Sequence, residues 1–174
     1  LDDLYAGAAT QVDLGVSWAG TIPTLRLWAP TAYPDTGVTL NLYSAPDTLA
    51  DQVAMTLDDD SGVWSVTGDA SWDRMYYDFT LEVYTYAESR VVTNTVTDPN
   101  SVSLSANSVR SQIVNLDDLD LQPPGWDSLV LPAYGVPEDI AIYELQMRDF
   151  SVADNTVPEA QRGKYTAFAL DNTD

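Results

Sequence analysis

The sequence predicts an all-β fold, an antiparallel sandwich that occupies most of the chain. Three observations predict it. Apolar residues recur at every second position up to about Asp120, which is the period of half-buried strands. Polar turn clusters cut these runs into short pieces, as in a sandwich. A proline-rich stretch then separates them from one run that is apolar on both faces.

In chain order, TLRLWAP places Leu25 and Leu27 on one face, with Arg26 and Trp28 on the other. VTLNLYS alternates Val38, Leu40 and Leu42 against Thr39, Asn41 and Tyr43, and VAMTL repeats the pattern with Val53, Met55 and Leu57. The longest run is MYYDFTLEVYTY. Tyr77, Phe79, Leu81 and Val83 share one face, and Tyr76, Asp78, Thr80, Glu82 and Tyr84 share the other. The turns fall at Pro30 to Gly37, at the DDDSG cluster from Asp58 to Gly62, and at Ala87 to Ser89. Little helix is expected before Asp120.

Residues 1–120 are therefore expected to form the sandwich. Residues 121–139 hold Pro123, Pro124, Pro132 and Pro137 and suit an extended linker. In residues 140–174 the run IAIYELQM follows, interrupted only by Glu144 and Gln146, and it reads as a strand covered on both sides. No stretch approaches the ~20 apolar residues of a membrane span, and LDDLYAGAAT lacks the basic start of a signal peptide.

Composition narrows the chemistry. Cysteine and histidine are both absent from the 174 residues. That removes disulfides, a cysteine nucleophile, a serine–histidine pair and a His/Cys zinc site. No cofactor or metal is expected. The net charge of −20 repels phosphate backbones and anionic lipid, so neither nucleic acid nor membrane is an expected partner. A neutral polysaccharide is indifferent to that field. The acidic surface also suits solubility or a salty medium.

IAIYELQMRDFS, Ile140 to Ser151, resembles the first barrel strand of the α-amylase superfamily, glycoside hydrolase family 13, in its pullulanase and limit-dextrinase branch. Other fragments follow in the same order. TLRLWAPTA (Thr24 to Ala32), GVWSVTGDASW (Gly62 to Trp72) and MYYDFTLEVY resemble strands of a family 48 carbohydrate-binding module, an immunoglobulin-like β-sandwich. VTDPNSV (Val96 to Val102), NSVRSQIVNLDD (Asn107 to Asp118) and PPGWD (Pro123 to Asp127) resemble the passage from that module into the barrel. RGKYTAF (Arg162 to Phe168) resembles the segment after the first barrel strand. The sequence departs from the family at Gln146, where histidine is usual, and at Asn100, where an aromatic is usual. It departs again at Asp78, after Tyr77, where glycogen-binding relatives carry lysine.

The resemblance implies a β-sandwich, a linker and the first strand of a truncated (β/α)8 barrel, from the N-terminal part of a debranching enzyme acting on α-1,6 linkages of branched α-glucans. A barrel needs about 250 residues, and fewer than thirty follow Ser151. The retaining scheme uses two carboxylates about 5 Å apart. In the family these lie on later strands, so no residue of this chain is expected to be catalytic. Glu144, Asp149 and Asp154 are read as structural. The implied partners are α-glucan and the remainder of the barrel, and the implied location is extracellular or the surface of a bacterium. A purely structural domain buttressing the barrel, and a stand-alone protein that has lost the chemistry, are the rival readings.

Sugar rings stack on flat side chains, so exposed aromatics are the candidate carbohydrate-binding residues. Tyr84 falls on the polar face by period, as does Tyr86, and Trp72 lies in the polar stretch GDASWDR. Trp28 and Trp64 read as packed. The DDDSG turn fails calcium-loop spacing, with Gly62 at a ligand position and Asp69 in place of the terminal Glu. It reads as a solvated turn. Ile140 to Phe150, a strand without its barrel, is expected to be a template for self-association.

Overall fold

The computed structural model describes residues 2–10 and 13–170. Among these described residues, nine strands form two antiparallel sheets. β1 (Gly15–Ala19), β2 (Ile22–Trp28), β5 (Thr56–Asp58) and β6 (Val63–Thr67) make the first, in the order β1-β2-β6-β5. β3 (Val38–Ala45), β4 (Thr48–Ala54), β7 (Tyr76–Thr85) and β8 (Arg90–Val96) make the second, in the order β4-β3-β7-β8, with the short β9 (Ser111–Gln112) pairing the start of β7.

The period-two reading is reproduced in the burial. Leu25, Leu27, Leu40, Leu42, Tyr77 and Phe79 are all buried in one apolar cluster between the sheets, with Leu81 packed at its margin. Tyr77 and Phe79 meet edge to face with centroids 5.6 Å apart, a favoured geometry for neighbouring rings. Trp64 is buried and its Nε1–H donates to the Ala29 carbonyl at 3.1 Å.

The run VAMTL, read as one strand, is two. The chain leaves the second sheet after Ala54 and joins the first at Thr56. Buried Met55 is the corner, held by its N–H on the Val38 carbonyl at 2.8 Å. The alternation continues through the corner because both halves face the same core. Gly62 closes the β5–β6 turn with φ +71, where a Cβ would stand 2.7 Å from the Pro30 Cβ. Both the backbone sign and the space require glycine.

A short helix, α1 (Asp2–Ala8), precedes the sandwich. Tyr5 meets Trp28 edge-on at 5.9 Å, and the Trp28 Nε1–H donates to the Ser61 carbonyl at 3.0 Å. Trp28 is thus a packed residue at the end of the interior strand β2.

The chain divides into two compact units, one ending at Pro124 and the other beginning at Gly125. Residues 125–139, read as part of the connection, belong to the second unit. There the structure differs from the strand expected at Ile140 to Phe150. Residues 141–146 carry no ladder, and Met147–Ser151 form the short helix α2. Gln146 caps it, its side-chain oxygen accepting the Asp149 N–H at 2.9 Å. The physical reason is pairing: a strand exists only through hydrogen bonds to neighbours, and no strand among the described residues lies beside this run.

Candidate functional site

β7 and β8 run to a hairpin whose end carries the two exposed tyrosines of the sequence reading. Tyr84 pairs in register with Val91. Tyr86 follows the strand, and its carbonyl accepts the Ser89 N–H at 3.3 Å across a turn in which Ser89 has φ +52. The two rings meet edge to face at 5.2 Å, with Tyr84 48% and Tyr86 88% exposed. An ion pair between Arg90 and Glu88 braces the loop. The result is an aromatic ledge open to solvent.

Trp72 is elsewhere, and the expectation that it is exposed is corrected. Only 9% of it is accessible, and it belongs to the core cluster. The polar letters around it are the reason it turns inward. The Asp69 carboxylate accepts the Ser71 N–H at 2.7 Å, capping a 3₁₀ turn over Ala70–Trp72 that points the indole at the core. Gly68 passes so close that a Cβ would lie 2.1 Å from the ring. The structure brings Tyr84 and Tyr86 together and leaves Trp72 apart from them.

The outer face of the second sheet holds what sequence reasoning missed. Asn41, Tyr43 and Asp78 alternate as surface residues, yet all three are buried. The Asn41 amide nitrogen donates to the Asp78 carboxylate at 2.7 Å and to Thr80 Oγ1 at 2.8 Å, and Gln52 donates to the Asn41 oxygen at 2.7 Å. Arg110 closes the group, its Nη1 3.1 Å from Asp78 and its guanidinium 4.4 Å above the Tyr43 ring. Burial, with the Asp78 charge beside it, pushes the Tyr43 phenol above its usual range, so it stays protonated. The Asp78 carboxylate is therefore spent within the protein.

The other acidic positions have local roles. Asp58 accepts the Ser61 hydroxyl at 2.6 Å and the Asp60 N–H at 3.2 Å within the DDDSG turn, the bonding of a solvated turn. Asp154 accepts the Thr156 N–H at 2.7 Å, and Glu144 is exposed. No group of three or more acidic side chains among the described residues is arranged to hold a metal ion. An open cleft of about 610 Å³ near Trp28 is walled by Leu27, Pro30, Leu81, Val96 and Pro99. Thr31 and Thr97 are the polar residues of its otherwise apolar lining, and it holds no charged side chain.

Residues 13–101 match carbohydrate-binding module 48, the isoamylase N-terminal domain. The chain belongs to that family. Over 171 residues it is 41% identical to a pullulanase of Klebsiella pneumoniae, covering 96% of this chain and 15% of that protein. It is 38% identical to the chloroplastic pullulanase 1 of Arabidopsis thaliana, covering 97% of this chain and 17% of that one. A crystal structure of Klebsiella pneumoniae pullulanase complexed with maltotriose superposes with a TM-score of 0.90 at 38% identity, over 99% of this chain and 16% of that one. The Bacillus acidopullulyticus pullulanase gives 0.77 at 31%, over 92% and 18%. The chain thus spans about a sixth of the curated relatives it matches.

Proposed function

We propose that this module is the non-catalytic front part of a pullulanase-type enzyme and makes a shallow contact with neutral α-glucan through Tyr84 and Tyr86. In this reading, hydrolysis of α-1,6 linkages in branched glucans belongs to the parent polypeptide, on carboxylates outside this chain. The observation that carries it is the likeness to pullulanases along the whole chain, at 41% identity over 171 residues. The exposed tyrosine pair supplies the contact. Stacking on a neutral ring uses no charge, so the net charge of −20 does not oppose it.

Affinity electrophoresis in gels with and without glycogen tests this. The chain should be retarded by glycogen, equally at low and high salt, because no ion pair is made. Tyr84→Ala and Tyr86→Ala should remove the retardation while changing stability by no more than about 0.5 kcal/mol, as exposed positions do. Unchanged migration in glycogen would reject the sugar contact. The isolated chain should not hydrolyse pullulan.

The second reading is a purely structural domain that buttresses the barrel. The buried Asn41–Asp78–Arg110 group favours it, because Asp78 on that face of the second sheet is bonded by Asn41 and paired with Arg110 of the same chain. Lack of retardation by glycogen would select this reading.

A further inference from the structure

At the end of the sandwich where β1 turns into β2, a niche of about 150 Å³ is lined by Trp18, Thr21, Ala70, Asp73, Asn115 and Asp118. We propose that it is a sugar site distinct from the tyrosine ledge, taking one neutral pyranose ring against the indole of Trp18. The ligand class rests on the carbohydrate-binding reading above; the site itself rests on its own geometry.

Four features support it. First, Trp18 is held in place. It packs against the core cluster, and its Nε1–H donates to the Val114 carbonyl at 3.2 Å. An anchored indole lining a recess is a wall on which the apolar face of a sugar can lie with no ordering cost. Second, the volume matches the ligand. It equals about five waters of liquid, room for a single ring and not for an extended chain.

Third, the polar groups around the ring are fixed in advance. Arg74 Nη2 donates to Asp118 at 2.6 Å and to Asp120 at 2.9 Å, which sets the Asp118 carboxylate. The Asn115 side-chain oxygen accepts the Asp117 N–H at 3.1 Å, which sets its amide plane. Fourth, the Asp73 carboxylate lines the niche and keeps 39% of its side chain accessible, while its shielded Oδ1 faces Arg74 Nε at 3.4 Å. The accessible part of that carboxylate can accept a sugar hydroxyl. Carboxylates, a carboxamide and a hydroxyl beside an indole are suited to hydroxyls with an apolar ring face.

The charge sets the specificity. Asp73, Asp118 and Asp120 outnumber the guanidinium of Arg74, so phosphorylated sugars and uronates are repelled and neutral rings are admitted.

The test uses the full chain labelled with ¹⁵N. Five indole N–H signals are expected from its five tryptophans, and Trp18→Phe identifies the one at the niche. Maltotriose should move the Trp18 indole signal together with the amides of Asn115 and Asp118. Glucose 6-phosphate should bind at least about tenfold more weakly. Ala70 is exposed, so Ala70→Leu should fill the niche without disturbing the core, weakening the maltotriose response at Trp18 by at least about tenfold with Tm unchanged. A silent Trp18 signal at concentrations that move Tyr84 and Tyr86 overturns the niche and leaves the tyrosine contact standing. Silence at both places rejects both sites. A Trp18 response to calcium chloride but not to maltotriose makes the niche a cation site instead, and an undiminished response in Ala70→Leu places the sugar elsewhere.

Discussion

The two units of this chain treat apolar residues in opposite ways. Up to Pro124 the alternating runs meet across two sheets, and Leu25, Leu40, Leu42, Tyr77 and Phe79 keep almost no accessible surface. From Gly125 on, equally apolar letters lie open. Leu129, Val130, Leu131, Ile142 and Tyr143 are each more than 65% exposed. The second unit does bury something of its own: Val157 and Ala167 are inaccessible, and Phe150 stacks on Phe168 at 4.4 Å. The difference teaches that an apolar run specifies a strand only together with its neighbours. β7 has β3, β8 and β9 beside it, and Ile140 to Leu145 has no strand beside it among the described residues. Such a run is what a following barrel would cover, in the reading proposed above.

The sharpest way to break this comparison is one truncation on each side of it. Phe79→Ala should cost about 3–5 kcal/mol, the lost burial plus the cavity. Ile142→Ala, 89% exposed before the change, should stay within about 0.5 kcal/mol. Urea unfolding curves decide it. Equal losses at the two positions would mean that Ile142 is covered in solution and that the contrast is wrong.

Next in size is Arg110→Ala. It leaves Asp78, 1% exposed, without its cation. The cost should be clear, yet below the roughly 3–5 kcal/mol of a fully buried pair, because the Arg110 side chain keeps 24% of its surface in water. Adding Asp78→Asn to the Arg110→Ala chain should recover much of the loss, since the uncompensated charge is then gone. A double variant no better than Arg110→Ala would show that the guanidinium acts by packing on Tyr43 instead.

A smaller effect concerns association. The exposed run is a template for self-pairing, and the charge of −20 opposes contact between copies. Salt shortens the range of that repulsion, from about 30 Å at 0.01 M to about 10 Å at 0.1 M. Sedimentation should therefore show any association growing with salt, and a chain ending at Pro124 should not associate. Association that survives that truncation would place the contact on the sandwich.

How much of this was legible in the letters depends on how far the deciding contact lies along the chain. β2, β3 and β7 follow from local alternation, because a half-buried strand writes its own period. The corner at Met55 was hidden, because alternation continues from one sheet into the next. Trp72 was misread from its polar neighbours, when Asp69 and Ser71 were the capping residues that turn it inward. Asp78 and Tyr43 obey the surface period, yet Arg110 reaches over them from a distant segment. The ledge was legible because Tyr84 and Tyr86 are neighbours in sequence. The Trp18 niche was not, because its walls come from three separate segments.

The subtlest prediction lies at Asp98, a buried carboxyl beneath the turn that follows β8. It accepts the Tyr77 hydroxyl at 2.7 Å and the Asn100 N–H at 2.8 Å. Those bonds favour the charged form, but burial outweighs them and raises the Asp98 pKa above the ordinary aspartate range. A carboxyl raised in the folded state contributes most in acid, below its unfolded value of about 3.9. That contribution is lost as pH climbs through the folded value. The comparison is made against Asp98→Asn, which removes this carboxyl and leaves the other acidic residues in place. The stability of the parent chain relative to Asp98→Asn should be most favourable in acid and should fall toward neutral pH. A parent chain that instead gains on the variant as pH rises would mean that the Tyr77 and Asn100 bonds outweigh burial. The carboxylate would then sit below its usual range, its charge stabilised by the turn.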